Sequence, residues 1–238
     1  MTETATADPL VEALAAQLRA TRDAERDLFN ALDPEVRDRP MRPGDWSPKD
    51  HQAHLTAWRA IQANRIHAAR LGEPIPTDVR EDDEINAELQ ATRADWSWDA
   101  IAAEADEVNE RLIGEIQAAG SSLLTETERL RAGGFGVGTF HAITHFGWLR
   151  DADIGVDAAR VTAFVDTMER LLDTSGLPDA DRGVGIYNLA CAHAVAGRLD
   201  RARALLRVAF RFRPDLAEYA KEDPDLVELR DELPTLVA

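Results

Sequence analysis

The chain of 238 residues carries 44 acidic against 27 basic side chains, a formal charge of −17, and 45% of it is hydrophobic. That charge disfavours the phosphate contacts on which nucleic-acid binders depend, so no nucleic-acid partner is expected. One cysteine, Cys191, excludes an intrachain disulfide and suits a reducing compartment. No stretch approaches the roughly eighteen apolar residues of a membrane span. The N-terminus has neither the basic flank nor the apolar core of a secretion signal, and the expected location is the cytoplasm.

No run of alternating β-branched residues occurs, and nearly every periodic segment reads as helix, so the expected fold is all-α. Asp8 caps a first helix with Pro9 at its first position. Leu10, Leu14, Leu18, Phe29 and Leu32 give that helix an apolar face up to Asp33 and Pro34. Ser47, Pro48 and Asp50 make a stronger start signal: a hydroxyl for the free N–H groups, a residue lacking an N–H, and a negative charge at the positive helix end. This second helix should run to Leu71 and Gly72. Pro74 and Pro76 then make an extended connection, and an acidic helical stretch covers Asp83 to Ala91. Ser97 caps a helix that turns Ile101, Val108, Leu112 and Ile116 inward and ends near Gly120. Gly133 to Gly138 looks like a phosphate loop. No Lys-Ser or Lys-Thr pair follows it and no strand precedes it, so a flexible lead into the next helix is expected.

That next helix carries His141 and His145. Four-residue spacing puts them one turn apart on one face, where two imidazoles can reach one metal ion. His54, on the second helix, is the natural third ligand, leaving coordination positions for water or substrate. Zinc, nickel and ferrous iron all accept imidazole, and spacing does not choose among them. His51, one turn before His54, is the candidate catalytic residue, as a proton shuttle or an alternative ligand, against the more common role of an outer supporting or surface residue. Trp58 and Trp148 should frame the pocket, core packing being the competing explanation.

Val161 to Leu172 continues the apolar periodicity up to Ser175-Gly176-Leu177-Pro178, the clearest linker signal in the chain. Residues 181–238 hold nine basic and ten acidic side chains, whereas 1–180 hold eighteen and thirty-four. This change of character implies two domains. The expected organisation is a bundle over 1–152, a connecting helix and linker over 153–178, and a small helical domain over 179–238. Tyr187 through Asp200 resembles the first helix and turn of a tetratricopeptide repeat, with Leu189 as the patterned leucine, Gly197 at the turn, Ala202 and Ala209 at small packing positions, and Pro214 at the end. No second copy lies about 34 residues upstream, so a lone hairpin is expected, with a helical segment from Leu216 to Glu232 packed against it. His193 and Cys191 read as packing residues. Arg203, Arg207 and Arg211 form a face that could accept a carboxylate or an acidic partner segment.

Trp46-Ser47-Pro48-Lys49-Asp50 followed by Ala53-His54-Leu55-Thr56-Ala57-Trp58, with a late His-x-x-x-His helix, resembles the DinB/YfiT-like four-helix-bundle superfamily over roughly residues 8–152. The first motif and the Gly72-Glu73-Pro74-Ile75-Pro76 turn look most like the ClbS/DfsB branch, associated with self-protection against reactive natural products. The paired late histidines look more like the metal-binding branch, which includes thiol transferases using bacillithiol or mycothiol and mycothiol-dependent maleylpyruvate isomerase. The resemblance implies that His54, His141 and His145 hold a divalent metal (zinc, nickel or iron), with a low-molecular-weight thiol such as mycothiol as cosubstrate. The implied activity is thiol S-transfer or hydrolysis of a small electrophilic metabolite. Two alternatives stand beside it: a ClbS/DfsB-like protein that binds or hydrolyses a reactive natural product without a metal, and an interaction scaffold recruiting a protein partner through the repeat-like domain. The chain could also pair as a homodimer.

Overall fold

Asp8 accepts a hydrogen bond from the Val11 N–H at 3.3 Å, and Pro9 sits where no donor is lost, so α1 (Pro9–Asn30) starts at its sequence-encoded cap. The computed structural model describes residues 8–41, 45–127, 130, 133–152, 154–173 and 176–237, and no strand occurs among them. Residues 1–7 and Ser175, on which the secretion-signal and linker expectations partly fall, lie outside the described set. The chain divides into two compact units, Met1–Asp157 and Ala158–Ala238. Among the described residues no helix is long and apolar enough to cross a membrane.

In the first unit α1 is followed by a helical turn α2 (Pro34–Arg37), then α3 (Pro48–Arg70), α4 (Asp82–Arg93), α5 (Trp98–Glu126), a π-helix (Gly133–Phe140) and α6 (His141–Asp151). Both α1 and α3 pack along α5. Leu14 and Phe29 from α1, Leu55 and Ile66 from α3, Leu112 and Ile116 from α5, and Phe146 from α6 are fully buried. Each such side chain contributes about 1.5–3 kcal/mol of transfer free energy. α4 is acidic at its start and buries only Ile85.

Charge also enters this core. Glu25 of α1 accepts two hydrogen bonds from Arg59 of α3, one from Arg22 at 3.2 Å and one from Gln52 at 3.2 Å. Arg22 continues to the Ala102 carbonyl at 3.0 Å and Asp106 at 2.6 Å on α5. Burial alone would raise the Glu25 carboxyl, but Arg59 and Arg22 hold it below the usual carboxylate range.

The helix from Ser97 ends at Gly120 (φ 70°), as expected, and a second short helical run follows to Glu126, the freed Ser121 N–H donating to Asp8 Oδ2 at 2.8 Å. One expectation for this unit is corrected. The glycine-rich stretch is not an irregular lead but a π-helix running directly into α6. A Cβ at Gly138 would stand 2.6 Å from Leu18 Cδ2, so a side chain there would have to displace Leu18 or the segment itself.

The second unit packs α7 (Ala158–Asp173) on α8 (Asp179–Val195), which pairs with α9 (Leu199–Phe212) across a turn where Gly197 takes φ 72°. Leu189, Ala202, Leu206 and Ala209 are fully buried. The segment after Pro214, expected as continuous helix, is broken into α10 (Leu216–Tyr219), a 3-10 helix (Pro224–Glu232) and α11 (Leu233–Leu236). Pro224 cannot continue α10, and Asp223 caps the new start by accepting from the Asp225 N–H at 2.9 Å. His193 is buried with Nε2 3.1 Å from Glu169, and burial pushes the Cys191 thiol up, which keeps it unreactive at neutral pH. Arg203 binds Glu232 and Asp200 of its own unit.

Candidate metal centre

A reciprocal cap sets the start of α3. Ser47 Oγ accepts from the Asp50 N–H at 3.2 Å, and Asp50 Oδ2 accepts from the Ser47 N–H at 2.9 Å. With the helix phase fixed, His51, His54 and Trp58 share one face. His141, His145 and Trp148 share a face of α6 for the same reason. The π-helix ahead of α6 packs on both α1 and α3, which brings the two histidine faces together.

His54 Nε2 lies 3.0 Å from His141 Nε2, and His141 Nε2 lies 3.1 Å from His145 Nε2. All three donor atoms fall within 4.8 Å of one another. Two nitrogens each bound at about 2.0–2.1 Å to a common ion stand about 2.9 Å apart at a right angle and about 3.4 Å apart at the tetrahedral angle. The two close separations fall inside that range. Hydrogen bonding accounts for them poorly, because His141 Nε2 holds either one proton or one lone pair and faces two neighbours.

Protonation favours the same arrangement. Burial lowers His54 to about 3 and His141 to about 4, and it holds His145 well below its ordinary value, with neighbouring imidazoles or the Arg59 charge adding to the effect. At neutral pH the three rings are uncharged and can offer lone pairs. His51 is lowered to about 4, by burial against the opposing pull of Asp50 and Asp45. Its Nδ1 stands 2.6 Å from His145 Nδ1. If His145 presents a lone pair at Nε2, its proton is on Nδ1 and His51 Nδ1 must accept it. The remaining His51 proton is then on Nε2, an atom buried without a hydrogen-bond partner. His54 Nδ1 is likewise buried and unpartnered.

Beside the histidines lies a cleft of about 490 Å³ lined by Met41, Asp45, Trp46, His51, Asp83, Asn86, Trp148, Asp151 and Ala152. The triad meets this cleft through ring contacts. Trp46 lies 4.7 Å from His54 and stacks at 6.2 Å on His145, while Trp148 stands edge-on to His145 at 4.8 Å. Trp58 is placed otherwise, 6.3 Å from His54 and 6.5 Å from His141, with its N–H donated to Asn86 Oδ1 at 3.0 Å. It flanks the triad without lining the cleft.

A family model described as the DinB superfamily matches residues 17–149, more than half of the chain. The chain belongs to the DinB superfamily. No curated protein and no solved structure matches it. DinB-superfamily members often bind metal, and His54, His141 and His145 all lie inside the matched segment. Two parts of this DinB site escaped sequence reasoning. Trp46 was legible in principle: it precedes the N-cap Ser47, a position that folds back on the fourth helical residue, here His51, and their rings are 5.5 Å apart. The buried Glu25 and Arg22 also left a trace, since they fall on the stripe set by Leu10, Leu14, Leu18 and Phe29.

Proposed function

We propose that this DinB-superfamily chain is a metal-dependent enzyme, a thiol S-transferase or hydrolase acting on a small electrophilic metabolite, in which His54, His141 and His145 hold a divalent ion such as zinc, nickel or ferrous iron. The observation that carries this reading is the convergence of three uncharged, buried imidazoles on one another through Nε2. A divalent ion there supplies Lewis-acid chemistry, because neutral ligands leave its charge uncompensated and a water or a thiol such as mycothiol is acidified towards a nucleophile near neutral pH. His51, a residue of the cleft lining, would orient His145 by accepting its Nδ1 proton and would hold its own proton at Nε2 for the departing group of the substrate. Trp46 and Trp148 cover the His145 ring and keep water from it.

Elemental analysis of the full chain, purified without a histidine tag, tests the ligand set. About one equivalent of a transition metal is expected in the wild type, and less than about a tenth in His54→Ala, His141→Ala and His145→Ala. Equal metal in all four proteins would overturn the ligand assignment. A wild type that takes up no zinc, nickel or ferrous iron would overturn the metal reading altogether. The tryptophan-lined cleft favours a second reading, capture of a reactive metabolite without a metal. That reading gains support if protection of cells survives all three substitutions.

A further inference from the structure

The cleft beside the triad has a one-sided charge. Asp45, Asp83 and Asp151 line it, and among the described residues no lysine or arginine does. Asp151 pairs with Arg150 at 2.7 Å, whereas Asp45 and Asp83 form no ion pair among the described residues. The tryptophans Trp46 and Trp148 form part of the same wall and both contact His145. His51, which also lines the cleft, is 3% exposed, and its Nε2 is a buried polar atom without a partner. An orphaned buried donor is destabilising, and a ligand that hydrogen-bonds it would relieve that penalty. Indole faces attract cations through the ring quadrupole, most strongly where water is displaced, and carboxylates around them add Coulomb attraction and repel anions.

We propose that this cleft receives the positively charged nitrogen of a small-molecule substrate, an alkylammonium group seated against Trp46 and Trp148 and faced by Asp45, Asp83 and Asp151, with the rest of the molecule reaching His51. The end at which reaction occurs rests on the metal-dependent reading of the site, while the charge preference does not. An ammonium headgroup at the cleft wall leaves the orphaned His51 donor for a neutral acceptor further along the molecule. A substrate with a carboxylate or phosphate in the same place would meet like charge, with no basic side chain lining the cleft among the described residues.

Isothermal titration of the full chain with choline, with the uncharged isostere 3,3-dimethylbutan-1-ol and with 3,3-dimethylbutanoate separates charge from shape. Choline should bind at least about tenfold more tightly than the alcohol, and the carboxylate more weakly than either. The combined variant Asp45→Asn, Asp83→Asn, Asp151→Asn should lose about tenfold in choline affinity and keep its affinity for the alcohol. Trp148→Ala should weaken both. Equal binding of choline and the alcohol, unchanged choline affinity in the triple variant, or no binding of choline overturns the proposal. Metal content is measured on the same samples, and His145→Ala is titrated alongside. A wild type without metal that still prefers choline refutes the metal reading alone. A metal-loaded wild type that ignores charge refutes this inference alone.

Discussion

His51 differs from the three imidazoles around it in meeting them through Nδ1 of His145 and not through the converging Nε2 atoms. It stands 2.6 Å from His145 Nδ1, so its effect on the site runs through the orientation and tautomer of His145. Replacing it should therefore weaken metal binding without abolishing it. Competition against a chromogenic chelator should give a zinc affinity about 10–100-fold lower in His51→Ala. His51→Gln, which retains an acceptor, should recover part of that loss, while His145→Ala should leave no measurable site. If His51→Ala binds zinc as the wild type does, the orienting role is wrong. At this scale the sequence made two candidate ligands readable, because His141 and His145 sit one turn apart within a single helix. Direct pairing of His51 with His145 was not readable, since it depends on the distance between two helices.

The helices are locked by a charged knot as well as by apolar burial. Glu25, Arg59 and Arg22 join α1 to α3 and α5, and Glu25 and Arg59 are fully buried. Removing one partner strands the other, so Glu25→Gln and Arg59→Met should each cost about 3–5 kcal/mol in urea denaturation. The Glu25 carboxyl is held below its usual 4.5 in the fold. Its stabilisation is therefore fully present above about 4.5 and is lost as pH falls through the folded value. The wild-type urea midpoint should decline more steeply on acidification through this window than that of Glu25→Gln. Parallel declines would show that Glu25 is not the group responsible. Spacing puts Glu25 and Arg22 on the apolar stripe of α1, and packing of three helices on one point supplies the partners that let their charges be buried. The π-helix carries a smaller prediction. Gly138→Ala must displace Leu18 or the segment itself, for about 1–3 kcal/mol, and urea denaturation alongside zinc affinity would tell whether the strain reaches the histidines.

On the scale of the whole chain, all three candidate ligands and the cleft belong to the unit that ends at Asp157. A chain truncated after Asp157 should then still bind about one equivalent of zinc, and loss of zinc from a folded truncation would show that the ligand set is incomplete within that unit. The sequence by itself determined the all-α class, the capped starts at Asp8, Ser47 and Ser97, and the histidine spacing, because caps and periodicity act within a turn or two of chain. Tertiary structure alone decided three things: that α3 and α6 turn their histidines towards a common point, that Trp46 and Trp148 cover them, and that the glycine-rich segment winds as a π-helix against Leu18. Those outcomes depend on how closely residues far apart in the chain can approach, and close packing between helices sets that distance where local propensity cannot.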